Sequence, residues 1–340
     1  MIVNRELKYP FEIHSSCDVM DSTKLNGAMT CLRMFFYNYV LGWQQENNHL
    51  VFGKAWHEAM EHILLFGYGK DSVYDAYDKF IEEYRKVYTE EDDYTFSPKT
   101  PERAAMALMT YVKYYANDFN EFEVVEMEGS KLTEIAGSVP VGKYELYFRM
   151  DAVIRMLRTG KIRPFEHKTG SSMYMWNEQW DLAMQVFTYL YVMYSLYDPV
   201  DVDGVMLNGV IFKKTKQNRD TDRKHELGFG RHFEFTRPIV SRQIYQMEAW
   251  IERTVYHLDI VRMHFDMLAE EDPGAKVMRA FPMNTTSCTK YLGCPYKDFC
   301  MAFDNPIKQF LKYQTPMGWE VKHWDPTIGE IKNDLGKVEI

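Results

Sequence analysis

The chain has 340 residues, of which 46% are hydrophobic and 15% aromatic, and this is enough for a sizeable core. Its formal net charge of −9 argues against a protein that coats nucleic acid indiscriminately, although a local basic groove is compatible with that total. No run of about 18 apolar residues occurs, so no membrane span is predicted. The segment 1–20 lacks the apolar stretch of a signal peptide, and we therefore expect a cytoplasmic location.

Helical patterns dominate the first third of the chain. The first predicted helix is capped near Asp21 or Ser22, and its aromatic residues are expected in the core rather than on a base-stacking surface. In chain order, the predicted helices cover about 22–42, 53–66, 71–88 and 101–120.

From about residue 122 the pattern changes to segments rich in Val, Ile, Tyr and Phe and broken by Gly, which predicts strands. A helix over 176–197 and a long amphipathic helix from Ser241 to about Ala269 are also predicted. The predicted strands cover 122–127, 144–156, 161–168, 204–212 and 230–235.

This order of elements indicates an α/β core with a helical insertion, in one domain over 1–300 rather than two independent domains. A tail over 301–340 has no predicted role. The parts of the domain are a helical part (22–120), a sheet core (121–235), the long helix (241–269) and a cysteine-rich segment (281–300).

Two carboxylates and a lysine lie in two neighbouring predicted strands. Side chains alternate along a strand, so Glu166 and Lys168 project from one face while His167 points away. If the strands pair, Asp151 lies beside Glu166, and two such carboxylates repel unless a hard cation such as Mg²⁺ or Mn²⁺ sits between them. Such an ion activates water and neutralises charge on a phosphoryl oxygen, and Lys168 is placed to stabilise the developing charge.

Taken alone, this spacing is also typical of surface ion pairs, so three further features matter. His57 stands near the start of a predicted helix, but HEAMEH has Glu61 where a zinc protease motif has its second histidine. Gln185 and Tyr189 lie four residues apart and therefore share one helix face. The simpler interpretation is an amphipathic helix whose polar face happens to contain both. Glu126 lies on a predicted strand just upstream of Asp151.

A basic segment, KKTKQNRDTDRK at 213–224, lies between two predicted strands and carries six basic and two acidic residues. A solvated hairpin loop is the simpler interpretation, and an arm that contacts phosphates is the functional one. In the functional interpretation, the candidate nucleic-acid contacts are Lys213, Lys214, Lys216 and Arg219.

Three of the five cysteines crowd into Cys288-x5-Cys294-x5-Cys300. An odd number in a chain without an export signal is a poor disulfide framework, whereas thiolates at this spacing bind zinc or an iron–sulfur cluster. Either would need a fourth ligand, for which Cys17 and Cys31 are the candidates. Reduced, buried cysteines are the simpler alternative.

The motifs follow the order seen in a known family. The resemblance runs from about Ser22 to Cys300, with one departure at Phe148, where many members have glycine. The chain resembles the RecB-like branch of the PD-(D/E)XK nucleases in Gly53-Lys-Ala-Trp-His57, Arg149-Met150-Asp151, Glu166-His167-Lys168-Thr169-Gly170 and Gln185-Val-Phe-Thr-Tyr189.

This resemblance implies a restriction-endonuclease-like mixed sheet flanked by helices. It implies that Lys168 is the catalytic lysine and that Gln185 and Tyr189 help to position nucleic acid or the lysine. It also implies that Mg²⁺ or Mn²⁺ is bound by the side chains of His57, Asp151 and Glu166 and by the backbone carbonyl of His167.

Members of this branch often carry a 4Fe–4S cluster, held by one cysteine upstream of the GxxxH motif and three near the C-terminal end. The resemblance therefore implies a cluster on Cys31, Cys288, Cys294 and Cys300. The usual gap after the first downstream cysteine is two residues and here it is five, which makes Cys288 the departure; zinc stays open as the alternative. Such a site would have a structural role, because it closes a long loop of chain.

The resulting hypothesis is a metal-dependent DNA nuclease that hydrolyses phosphodiester bonds. We expect an exonuclease acting on DNA ends or single strands in recombination, repair or phage- or CRISPR-type processing, in a bacterial or phage-infected cell. The alternative is a nucleic-acid-binding or assembly component that keeps the fold and uses the cysteine site as a scaffold. A zinc hydrolase built on His57 is weakly supported, because no second histidine follows at ligand spacing.

Overall fold

The computed structural model describes residues 2–4, 6–8, 11–214, 232–290, 293–308, 315–328 and 331–339. In these ranges no helix is both long enough and apolar enough to cross a membrane.

Asp21 caps the first helix as predicted, because its carboxylate accepts a hydrogen bond of 2.7 Å from the backbone nitrogen of Lys24. The predicted helix to Gly42 is not continuous, since Cys31 takes an extended backbone conformation. The described residues form the α-helices α1 (Ser22–Thr30), α2 (Leu32–Phe35), α3 (Asn48–Phe66), α4 (Lys70–Tyr84), α5 (Pro101–Tyr114), α6 (Asp118–Glu121), α7 (Met184–Leu196), α8 (Ile244–Glu270) and α9 (Lys297–Ala302).

The strands form one main mixed sheet and two small two-stranded pairs. The described strands are β1 (Trp43–Gln44), β2 (Phe122–Val124), β3 (Glu126–Met127), β4 (Ser130–Lys131), β5 (Thr133–Val141), β6 (Tyr144–Met156), β7 (Ile162–Gly170), β8 (Val205–Phe212), β9 (Phe233–Thr236), β10 (Ile239–Val240), β11 (Glu320–Val321) and β12 (Asn333–Lys337).

The main sheet has the order β10-β8-β7-β6-β5-β12, with β2 paired to β6 and β9 paired to β8. Its centre is antiparallel between β5, β6 and β7, whereas β7 and β8 run parallel. Every residue of β8 is buried, as expected for a strand covered on both faces. The mixed sheet flanked by helices confirms the predicted α/β class.

Two layers of helices cover the sheet. Helices α3, α4 and α5 form one apolar cluster with Val210, Phe212 and Phe233 of the sheet. Helices α1, α7 and α8 pack in a second cluster with strands β5 and β6. The aromatic residues of the segment 35–39 are buried in that second cluster, so the prediction that they belong to the core is confirmed.

The predicted helix over 176–197 begins only at Met184, so that prediction is wrong for its first eight residues. Trp176 lies against the sheet at two glycines: a Cβ added to Gly170 would lie 2.5 Å from the indole, and one added to Gly209 would lie 2.8 Å away. Because Trp176 packs on the sheet, the segment 176–183 does not join helix α7. Strand β5 was not predicted, and the start of the predicted 230–235 strand lies outside the described residues.

The C-terminal tail adds to the main sheet. Strand β12 pairs in parallel with β5 at the edge of the sheet. Just before it, the backbone nitrogen of Lys332 donates to the carbonyl of Glu134 at 3.1 Å, and Lys332 Nζ donates to Glu61 Oε2 at 2.5 Å. The tail therefore lies beside the predicted site.

Candidate active site

Asp151 and Glu166 lie where β6 and β7 separate. The paired register of these strands ends at Ala152 and Phe165, and Asp151 and Glu166 occupy the next positions. Beyond that point a side chain takes over from the backbone pairing: Asp151 Oδ2 accepts a hydrogen bond of 2.6 Å from the backbone nitrogen of His167. The predicted neighbourhood of the two carboxylates therefore follows from the strand register.

Glu166 and Lys168 project from one face of β7 and form a tight ion pair, with Lys168 Nζ 2.6 Å from Glu166 Oε1. The Glu166 side chain is 3% exposed, and its second oxygen, Oε2, is buried without a hydrogen-bond partner among the described residues. Burial and the nearby Asp151 carboxylate raise the pKa of Glu166. Burial disfavours the charged form of Lys168, but the carboxylates outweigh it and raise the pKa of this lysine.

His57 reaches the same carboxylate pair from helix α3. Its Nδ1 lies 3.0 Å from Asp151 Oδ1. Burial lowers the pKa of His57, but the adjacent Asp151 carboxylate more than compensates and raises it to about 9. Burial works against the charge of Asp151 as well, and the His57 cation again outweighs burial and lowers the pKa of Asp151. At neutral pH the two side chains form a charged, hydrogen-bonded pair.

Gln185 and Tyr189 on α7 form a support behind Glu166. Gln185 Nε2 donates to Glu166 Oε1 at 2.9 Å and to the Tyr189 hydroxyl oxygen at 2.7 Å. The Tyr189 hydroxyl in turn donates to the backbone carbonyl of Arg149. Tyr189 is only 2% exposed, so its position favours holding the Glu166–Lys168 pair over touching nucleic acid directly.

A buried network behind His167 was not predicted from the sequence. Asn208 Oδ1 accepts from Arg237 Nε at 2.9 Å and from the Tyr111 hydroxyl at 3.1 Å, so the Asn208 amide nitrogen faces His167 Nδ1, 2.8 Å away. Nδ1 is then an acceptor, and the ring proton lies on Nε2. Burial lowers the pKa of His167 to about 3, which keeps the ring neutral. Arg237 also bonds both oxygens of Asp118, at 2.8 and 2.7 Å.

A third carboxylate borders the site, and it is not the predicted one. The register of β5 and β6 places Glu134 opposite Asp151, and Glu134 has a φ of +44°, which is uncommon for a residue other than glycine. Burial and the Asp151 carboxylate raise the pKa of Glu134. Glu126, named from the sequence, is exposed and lies in the small β3–β4 pair outside the main sheet. Glu134 could have been found from the sequence only by predicting strand β5 and its pairing with β6, because that register places Glu134 opposite Asp151.

A family model described as the PD-(D/E)XK nuclease superfamily matches residues 22–301. The chain belongs to the PD-(D/E)XK nuclease superfamily. No match among the curated proteins was found for this sequence. Membership carries a nuclease activity and a nucleic-acid substrate, and nucleases of this superfamily usually use Mg²⁺ or Mn²⁺.

The donor atoms of this nuclease site suit a hard divalent ion. Carboxylate oxygens, among them the Glu166 Oε2 that has no hydrogen-bond partner in the described residues, are the ligands that such ions prefer. Over the described ranges, however, no group of three or more histidine, cysteine, aspartate or glutamate side chains stands ready to hold a metal ion. The donors pair with one another or with a lysine, His57 with Asp151 and Glu166 with Lys168, so binding an ion requires these contacts to be exchanged.

The same superfamily domain brings Cys31 near the cysteines of the segment 288–300. Cys294 lies within electrostatic range of Cys31 and Cys288, and so does Cys300. Burial, together with these thiols, raises the pKa of Cys300 to about 11 even though Arg33 lies nearby. None of the five cysteines forms a disulfide.

Cys17 takes no part in this group. It is 1% exposed, and its thiol donates to the backbone carbonyl of Tyr39 at 3.3 Å. Of the two upstream candidates, Cys31 is the one that faces the C-terminal segment, where the backbone nitrogen of Asn284 donates to its sulfur at 3.3 Å.

The basic segment begins at the end of β8. Lys213 Nζ pairs with Glu234, and Lys214 is exposed. Lys216 and Arg219 lie outside the described residues. Strands β7 and β8 run parallel, so their C-terminal ends lie side by side. Lys213 and Lys214 directly follow β8, and Lys168 lies near the end of β7, so these lysines lie at the same end of the two strands.

Proposed function

We propose that the protein is a DNA nuclease of the RecB-like branch that acts on DNA ends or single strands. The observation that carries the proposal is the meeting of His57, Asp151, Glu166 and Lys168 where β6 and β7 separate, with Gln185 held against Glu166. The order of the motifs along the chain supports the branch. The proposed preference for DNA over RNA and for DNA ends rests on the family resemblance described under Sequence analysis.

In the proposed mechanism, His57, Asp151, Glu166 and the backbone carbonyl of His167 would hold a divalent ion, which would supply Lewis-acid chemistry when bound. Lys168, a compact cation 2.6 Å from Glu166, stabilises negative charge that develops on the phosphate and orients the attacking water. Gln185 fixes the orientation of Glu166, and the His167 amide fixes Asp151. These contacts set the geometry before substrate arrives, which is the condition for efficient electrostatic stabilisation.

We further propose that Cys31, Cys288, Cys294 and Cys300 bind a 4Fe–4S cluster with a structural role. Four thiols with no disulfide and with mutual electrostatic contact suit such a site. Negative charge on four adjacent thiolates is unfavourable without a cation, and burial, followed by the neighbouring thiols, raises the pKa of Cys300. Zinc is the alternative occupant, and its preparations would be colourless.

The function is tested with end-labelled linear DNA and circular DNA, each single- and double-stranded, in the presence of Mg²⁺ or Mn²⁺. A ladder or mononucleotides from linear DNA, with circles left intact, is the expected result. Cleavage of circular DNA would show that the protein is an endonuclease and not an exonuclease, because a circle has no ends. Absence of cleavage, together with retained DNA binding, would favour the binding or assembly component instead.

The cluster is tested on protein purified without oxygen. We expect a brown preparation that absorbs near 400 nm and contains about four iron atoms per chain. A colourless preparation that contains zinc would overturn the cluster assignment and leave the nuclease assignment untouched.

A further inference from the structure

Lys99 is a buried cation for which the mechanism above has no use. It lies just before α5 and is 3% exposed. Among the described residues it makes no ion pair with a carboxylate, and burial lowers the pKa of this lysine to about 8. Lysine is seldom buried without a partner, because its desolvation is unfavourable unless an anion compensates for it. A buried, unpaired lysine in an enzyme is therefore a candidate for binding a ligand.

The one side-chain hydrogen-bond partner described for Lys99 belongs to the catalytic strand. Lys99 Nζ donates to Thr169 Oγ1 at 2.8 Å, and Thr169 directly follows Lys168 in β7. An ammonium group has three hydrogens to donate, and the hydrogen bond to Thr169 uses one of them. The Thr169 hydroxyl also keeps its own hydrogen for an acceptor. The pair thus offers several donors to an anion beside the reaction centre.

Lys99 is also held firmly in place. The amide of Asn48, at the start of α3, donates to the backbone carbonyl of Lys99 at 3.4 Å. The ammonium lies 5.7 Å from the centre of the Phe52 ring, and Phe52 is itself buried. A side chain fixed in this way loses little conformational freedom when it binds a ligand.

Other positive groups extend from Lys99 toward the end of β8. Lys99 and Lys214 both lie close enough to His49 to lower the pKa of that histidine, after the effect of burial. Arg103, on the first turn of α5, donates to the backbone carbonyl of Lys213 at 2.8 Å. The N-terminus of α5 is formed by the residues after Lys99 and adds a partial positive charge. Glu234 pairs with Lys213, and Glu102 lies in the first turn of α5, so the positive groups that extend from Lys99 are Lys214 and Arg103.

We propose that Lys99 and Thr169 together bind a backbone phosphate of the DNA substrate adjacent to the scissile one, and that His49 and Lys214 continue this contact along the strand. The proposal rests on the nuclease function proposed above and adds the binding residues. Lys99 is a substrate-positioning residue in this scheme, because it fixes the register of the strand relative to Lys168.

The test uses the full-length chain carrying Glu166→Gln, so that binding is measured without cleavage. Fluorescence anisotropy of a labelled single-stranded oligonucleotide, over a series of salt concentrations in Mg²⁺, gives the Kd and its salt dependence. Adding Lys99→Met is expected to raise Kd about 10-fold and to reduce the slope of log K against log salt by about 0.7. Lys113→Met is the matched control, because Lys113 is exposed near the other end of α5, and it should change neither quantity.

Thermal unfolding separates binding from a structural role. Lys99→Met removes a buried, unpaired charge, so its Tm should equal or exceed that of the parent. Thr169→Val, which removes only the hydroxyl, should raise Kd about 3-fold and serves if Lys99→Met does not fold. If Kd and the salt slope are unchanged in both variants, this proposal is wrong and the nuclease proposal stands. If Lys99→Met does not fold, the same result in Thr169→Val decides the question. Failure of the parent to bind any DNA would overturn the nuclease proposal and this one with it.

Discussion

The catalytic centre and the cysteine group both join distant parts of the chain, but different forces hold them. At the centre, Asp151 accepts a backbone hydrogen bond and a contact from His57, and Glu166 is bonded to Lys168 and Gln185. Charges there are compensated within the protein. At the cysteine group, by contrast, burial and the neighbouring thiols raise the pKa of Cys294 and Cys300, and Arg33 is the one cation that acts on Cys300 among the described residues.

The strand register arranges the first site, whereas the proposed cluster would complete the second. Removing one polar group from the centre should reduce the rate and leave the fold largely intact, because the remaining hydrogen bonds and the strand register persist. Removing one cysteine should reduce stability first, because the proposed cluster would tie residue 31 to the segment 288–300. The following predictions test that difference, beginning with the largest expected effect.

Lys168→Met should lower kcat by about 10³-fold, because it removes the cation that stabilises charge on the phosphate. The helix content and the iron content should stay those of the parent. Single-turnover cleavage of labelled DNA measures the effect, with Lys113→Met as the control. A loss of less than 10-fold would show that Lys168 is not the catalytic lysine.

Cys300→Ser should remove the cluster colour and lower Tm by roughly 5 °C or more, because the tie between distant segments is lost. Cys17→Ser is the control: Cys17 is buried and its thiol donates to the Tyr39 carbonyl, outside the group, so the iron content should be unchanged. If both variants lost iron equally, the choice of Cys31 as the fourth ligand would have to be revised in favour of Cys17.

Asn208→Leu should raise the Mg²⁺ concentration for half-maximal activity by about 10-fold, because it removes the group that orients His167. The backbone carbonyl and amide of His167 both belong to the proposed centre. Titration of activity with Mg²⁺ measures the change. An unaltered metal requirement would assign the network of Asn208 and Arg237 to stability alone.

The stability of the metal-free protein should fall as the pH rises from about 6.5 to about 9. The pKa of His57 is raised from 6.5 to about 9 in the folded state, so its contribution is complete below 6.5 and lost above 9. Since the His57 side chain is 28% exposed, we expect a loss of about 1–2 kcal/mol, less than the shift alone implies. Urea unfolding at several pH values measures it, and His57→Gln should flatten this part of the profile.

Much of the centre was predictable because its motifs combine local spacing with the regular geometry of strands and helices. Alternation in β7 placed Glu166 and Lys168 on one face, and helical spacing placed Gln185 next to Tyr189. Strand β6 was predicted with the bounds that the structure has. The order of the motifs indicated the superfamily, and the family model agrees.

Other features depend on contacts between residues far apart in the chain. Glu134 became visible only through the register of β5 and β6, and Asn208 only through its hydrogen bond to His167. The start of α7 was misplaced because Trp176 packs on two glycines of neighbouring strands.

The sequence by itself determined the superfamily and the α/β class, and it indicated which residues of the candidate centre share a strand or helix face. The resemblance had already favoured Cys31 over Cys17 as the partner of the C-terminal cysteines. Tertiary structure alone decided that Asn208 lies against His167 and that Lys99 reaches Thr169 from the helical layer. The physical reason is that local periodicity fixes the direction of a side chain within its own element. Which elements meet is set by packing over the whole chain.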